Sequence, residues 1–193
     1  VYNSTNTVTT DNNNLVDGST STGTFTQSRT GLSPQTRYYF AGYAINGIAT
    51  GYSNVSNFFT LSNPPSSAAT SFTATPASGD QINLSWSAAT FPSTGASVKG
   101  YVLVRALSGT TPTITNANGQ APVAGSGSTI VSSSILGTAT SATSTGLTGS
   151  TAYNFTIIPF TWNGVNAETY NYYTTSAATA SATTVAPLPT AQA

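Results

Sequence analysis

Eight fully charged side chains are what this sequence offers to acid–base or ionic chemistry: Arg29, Arg37, Lys99 and Arg105 against Asp11, Asp17, Asp80 and Glu168. It contains no His and no Cys. Ser–His–Asp and Cys–His nucleophilic machinery are therefore excluded, and zinc loses its two commonest ligands. Two carboxylates could still cleave a glycosidic bond if they faced it roughly 5–9.5 Å apart. The spacing brings no pair together, because Asp11 and Asp17 lie in the early segment and Asp80 and Glu168 fall in separate later turns. The expectation is a non-enzymatic chain with no catalytic residue, no cofactor and no metal. Asp11-Asn-Asn-Asn-Leu-Val-Asp17 is oxygen-rich, yet it lacks the central Gly and terminal Glu of an EF-hand loop. Asn and Asp tolerate left-handed turn conformations, so this run reads as a long polar hairpin loop. Trp162, Tyr170, Tyr172 and Tyr173 could form an aromatic platform for sugar rings. Aromatics near strand ends also pack over the open edge of a sandwich, and both readings stay open. Four Asn-x-Ser/Thr triplets, at Asn3, Asn54, Asn83 and Asn154, match the glycosylation sequon, as chance allows in a chain this rich in Asn, Ser and Thr.

The scarcity of charge itself bounds the function. Charged residues make up 4% of the chain, against roughly 25% in an ordinary soluble domain. No basic patch exists to neutralise phosphates, so nucleic acid is not an expected partner. No Lys/Arg cluster suits an anionic membrane surface, and no apolar run approaches the ~20 residues of a helical membrane span. A polar but uncharged surface of Ser, Thr, Asn, Gly and Ala is associated with extracellular material. The chain has no Met and opens VYNSTNTV, without a charged or apolar leader pattern. It reads as a mature product or a window from something longer.

The elements that must position these residues are strands. In Gln81-Ile-Asn-Leu-Ser-Trp-Ser87, the apolar Ile82, Leu84 and Trp86 alternate with polar neighbours, the period of a half-buried strand. Val98–Arg105 is rich in β-branched and aromatic residues. Ala152–Phe160 places Tyr153, Phe155 and Ile157 on one face, and its Pro159 predicts an edge position or a bulge. A last run covers about Tyr172 to Thr184. Helical periodicity is almost absent, and short strands with frequent turns predict an all-β sandwich. Proline-bearing stretches at Pro64-Pro65 and Ala186-Pro-Leu-Pro-Thr190 follow the last strand of each unit.

One phrase occurs twice. GLSPQTRYYF starts at Gly31 and GLTGSTAYNF at Gly146, sharing the frame Gly-Leu-x-x-x-Thr-x-Tyr. Leu32 precedes Tyr38, and Leu147 precedes Tyr153, by the same interval. An apolar anchor, a turn and a Tyr opening a strand is the layout of a tyrosine corner, whose hydroxyl returns to upstream backbone. Taken in order, Ile82–Trp86, Gly100–Arg105, the Gly146–Tyr153 corner and the closing SAATASATT (176–184) resemble a fibronectin type III module.

That resemblance implies tandem immunoglobulin-like sandwiches, the first incomplete. Residues 1–63 would be the C-terminal part of one module, 64–186 a complete one, and 187–193, ending LPTAQA, a linker and the start of a third. Trp86, Tyr101, Leu147 and Tyr153 would be core, with Leu32 and Tyr38 as counterparts in the first unit. The phrases around RYYFAGYAINGIATGYSN and WNGVNAETYNYYTTS are similar to arrays in large secreted and surface proteins of bacteria, many exported by the type IX route. A structural or adhesive stalk is implied, extracellular or cell-surface, whose partners are neighbouring modules, identical chains in a filament, or surface glycans. An accessory region of a secreted hydrolase, or a carbohydrate-binding module, is the alternative. The missing opening strands of the first unit would come from chain ahead of Val1 or by strand donation from another chain.

Overall fold

The computed structural model describes residues 1–9, 11, 13–14 and 26–187. Asp17, most of the Asn-rich run and LPTAQA lie outside them. The strands are β1 (Tyr2–Asn3), β2 (Arg37–Phe40), β3 (Tyr43–Ile45), β4 (Thr50–Tyr52), β5 (Ser56–Phe59), β6 (Thr70–Pro76), β7 (Ile82–Ser87), β8 (Val98–Leu107), β9 (Ser128–Leu136), β10 (Ser141–Ser144), β11 (Ala152–Trp162), β12 (Asn171–Tyr172) and β13 (Ala178–Thr183). A single 3₁₀ turn, Ala167–Thr169, is the helical exception among the described residues. The protein is all-β, and every strand pair is antiparallel.

From β6 onward the chain builds a sandwich. One sheet has the order β10-β7-β6, the other β12-β11-β8-β9 with β13 also on β11. Strand β7 buries every second residue, because Ile82, Leu84 and Trp86 face the other sheet and Asn83 and Ser85 face water. They meet Tyr101 and Leu103 of β8 and Tyr153, Phe155 and Ile157 of β11 in one apolar cluster. Each such side chain taken fully from water contributes about 1.5–3 kcal/mol.

Strands β8 and β11 do not alternate, since they are buried on both faces. Their outward residues Val102, Val104, Ile158 and Phe160 form a second cluster with Tyr170 and Tyr172, against which Ile114 packs. Ile114 belongs to the long connection between β8 and β9, which crosses this outer face and closes on itself through an Ile114–Ala124 bridge. Pro159 is at neither the edge nor the bulge that the sequence suggests, since the β8–β11 register runs through it without a shift. It lies in β11, between β8 and the β12/β13 side. Its carbonyl accepts from Tyr173 N–H, and its missing N–H faces the same neighbour, in the gap where β12 has ended and β13 has not begun. The interruption falls in the adjacent strand.

Residues 1–63 contribute a β1-β2-β5 sheet and a β3-β4 hairpin. Tyr38 stacks on Phe58 and meets Tyr2 edge-on.

Candidate functional site

Among the described residues, those with chemical potential do not converge. Glu168 lies in the 3₁₀ turn, and Asp80 lies in the β6–β7 turn, where it accepts from Ser78 Oγ. Among the described residues no three His, Cys, Asp or Glu side chains form a group able to hold a metal. Arg105 is committed to Ser144 Oγ and the Thr145 carbonyl. Asn154, within one sequon, donates its side-chain amide to the Thr110 carbonyl.

Trp162, Tyr170 and Tyr172 are brought together, but as a packed stack. Trp162 and Tyr170 lie 4.7 Å apart at 16°, and Tyr170 and Tyr172 5.6 Å apart at 13°. Tyr170 is 7% exposed and Tyr172 6%. Tyr172 spends its hydroxyl on the Gln120 carbonyl, and Gly119 N–H donates to the Tyr170 carbonyl. The β8–β9 connection thus covers Tyr170 and Tyr172, while Trp162 stays half-buried. Burial holds the phenols of Tyr170 and Tyr172 above the usual tyrosine range, with ionised Tyr170 adding to the effect at Tyr172. Tyr173 is half-buried outside this stack.

The two corners are the same construction. Ser33 N–H donates to Tyr38 Oη at 3.0 Å, and Thr148 N–H to Tyr153 Oη at 3.1 Å. Gly31 and Gly146 have φ of 72° and 67°, a region where a side chain is strained. Thr36 Oγ1 donates to the Pro34 carbonyl, as Thr151 Oγ1 does to that of Gly149. A further threonine closes each corner. Thr60 Oγ1 donates to the Ser33 carbonyl and accepts from Thr36 N–H, and Thr184 does the same with Thr148 and Thr151. Leu32 is half-exposed and Leu147 buried in the main cluster. Trp86 and Tyr101 meet edge-on at 5.5 Å in that cluster, and Tyr101 Oη accepts from Ala89 N–H.

The most connected polar assembly lies where the first unit runs into the sandwich. Ser62 is 2% exposed. Its N–H donates to the Thr169 carbonyl at 2.9 Å, its carbonyl accepts from Asn171 Nδ2 at 2.7 Å, and its hydroxyl accepts from Gln35 Nε2 at 2.8 Å. Asn63 N–H donates to the Gly95 carbonyl at 2.7 Å, and its own carbonyl accepts from Thr161 Oγ1 at 2.8 Å. Asn63 Nδ2 donates to the Thr94 carbonyl, and Ser97 Oγ to Gln35 Oε1. Gly95 is required twice over. Its φ is +68°, and a Cβ there would sit 2.6 Å from Pro34 Cγ and closer still to the Asn63 amide.

A two-sheet sandwich closed by a tyrosine corner is now in view, and the sequence comparison decides its family. The family model of the fibronectin type III domain matches residues 64–175. The chain belongs to the fibronectin type III family. No curated protein sequence matches it. Among solved structures it is similar to the FN1–FN3 domains of chicken CNTN1, at 16% identity over 82% of this chain and 46% of that one, with a TM-score of 0.45. It is also similar to the fn3 domain of human collagen alpha-1(XX) chain, at 18% identity over 69% and 94%, TM-score 0.37. Domains d3–d4 of the rat CD45 extracellular region match at 18% identity over 83% and 72%, TM-score 0.34. The chain spans less than half of the CNTN1 structure.

Fibronectin type III domains are in general non-catalytic modules, and the polar groups assembled around Ser62 and Asn63 hold chain to chain. Sequence reasoning missed the holders. Thr60 and Thr184 follow the last strand of each unit in Phe59-Thr-Leu-Ser and Thr183-Thr-Val-Ala. Aligning the two corners onward would have exposed this pairing. Thr161, Asn171 and Gly95 carry no local signal, because their partners are distant in sequence.

Proposed function

We propose that the chain is a non-enzymatic spacer segment, a stalk unit of an extracellular or cell-surface protein, built from a complete sandwich at 64–186 and the closing part of another at 1–63. One observation carries this reading. The incoming chain is held at the Thr161 end of β11, and the outgoing chain at its Thr151 end, where Thr184 N–H donates to the Thr151 carbonyl. At about 3.3 Å per strand residue, the connections lie ~30 Å apart along one strand. A tension applied through the chain then loads the module end to end, the arrangement a spacer needs.

Adhesion would arise from many such units acting together. Assembly of identical chains into a filament gains support from β9, which carries no charge over Ser128–Leu136. Against it stand the two register shifts in the β8–β9 ladder, since bulges twist an edge away from pairing. A sugar-binding role is less favoured, with Tyr170 and Tyr172 covered. An accessory region of a secreted hydrolase would use the same spacer geometry, and no residue here speaks for it separately.

Single-molecule pulling between residues 63 and 187 tests the proposal. The expected outcome is one cooperative rupture releasing about 40 nm of chain. Extension without a force peak would show that the module cannot serve as a load-bearing spacer.

A further inference from the structure

We infer that the rim of the sandwich formed by Gly95, Ser97, Thr161, Thr169 and Asn171 is a docking socket that accepts a Ser-Asn exit segment and rejects an Ala-Pro one. It thereby locks the preceding unit and this module into one body. This rests on the spacer reading and deepens it.

The two exits differ in chemistry. Their alignment is set by the shared corners: Thr60 and Thr184 occupy the same position, and Gln35 N–H reaches the Leu61 carbonyl as Ser150 N–H reaches that of Val185. Ser62 therefore corresponds to Ala186, and Asn63 to Pro187. At the first exit both residues use their backbone N–H groups and their side chains on partners in the socket or on Gln35. Ala186 has no hydroxyl, and Pro187 has neither an N–H nor an amide side chain. An Ala-Pro exit in this socket would leave the Gly95 carbonyl and the Gln35-position amide without their partners. Both groups sit in half-buried surroundings, so each loses a protein partner that water replaces only in part, and the mismatch is penalised rather than merely unrewarded. Pro187 instead packs on its own module, against Gly79 and Gly149.

Fit adds a second filter. Gly149 stands where Pro34 stands in the first corner, and Ser150 where Gln35 stands. Pro34 fills the space that Gly95 leaves open, and Gln35 spans from Ser62 to Ser97. Glycine and serine can do neither.

The test replaces Ser62-Asn63 by Ala-Pro in the full chain and follows amide hydrogen exchange at Ser62 or its replacement, together with ¹⁵N relaxation of both units. We expect exchange at position 62 to accelerate at least tenfold, and the β1-β2-β5 sheet to tumble independently of the sandwich, while the sandwich unfolds at an unchanged temperature. Asn171→Ala, made from the socket side, should give the same loosening. Unchanged exchange and common tumbling in both variants would overturn the socket. Failure of the spacer reading would appear separately, as a missing force peak in the unaltered chain.

Discussion

At the scale of single residues, hydroxyl groups do the work that charges do in many other proteins. Thr184 is 3% exposed and its Oγ1 joins three backbone groups of the corner. Thr184→Val should therefore destabilise the module by about 1–3 kcal/mol, the cost of leaving buried backbone groups unpaired. Thr184→Ser, which keeps the oxygen, should lose much less; urea denaturation of both variants checks the contrast. Tyr153→Phe should cost a similar ~1–3 kcal/mol, because Thr148 N–H would lose its acceptor while the ring stays packed. The tyrosine corner was legible in the sequence because a repeat displays itself. Its closing threonine was not, since a Thr among so many Ser and Thr residues stands out only once its partners are known.

At the scale of elements, the strands differ in how openly they announce their environment. The alternation in Ile82–Ser87 matched one buried face and one wet face, and β7 has both. Strands β8 and β11 lack alternation because each packs on two clusters, and nothing local to them says that residues 108–127 supply the outer cover. Pro159 misled for a related reason: the gap that accommodates it belongs to the neighbouring strand. Close packing of the two elements predicts that Gly100→Ala will destabilise the sandwich by about 1–3 kcal/mol, read from the thermal or urea midpoint. A Cβ at Gly100 would lie 2.6 Å from the Ile135 carbonyl oxygen and 2.9 Å from the Phe160 ring. The β1-β2-β5 sheet carries a different signature. Phe40 is 43% exposed and Phe58 41%, yet Phe155, the counterpart of Phe40 by corner alignment, is fully buried. This 193-residue chain should accordingly bind the dye ANS, and replacing Phe40 and Phe58 with Ser should remove most of that fluorescence. Undiminished dye binding would show that the apolar surface lies elsewhere.

At the scale of the whole molecule, the absence of His and Cys set aside Ser–His–Asp and Cys–His machinery from the sequence alone, but the joint between units was invisible there. Its contacts link residues such as Ser62 and Asn171 that lie far apart in the chain. Stability should respond to alkali through the tyrosines. Burial raises the folded-state phenol pKa of Tyr101, Tyr170 and Tyr172 above the ordinary 10.0. The folded chain then holds protons that the unfolded chain releases, so this stability is fully present below about pH 10 and is lost progressively above it. The melting temperature should hold up to about pH 10 and drop as the pH rises above it, and Tyr172→Phe should reduce the drop. An equal drop in the variant would place the sensitivity at other groups. The groups that hold Ser62 and Asn63, from Gln35 to Thr161 and Asn171, are all uncharged. Screening by dissolved ions weakens interactions between charges, and this joint has none. A joint of this kind loses nothing to charge screening between dilute fresh water and brine, where a joint made of ion pairs would slacken.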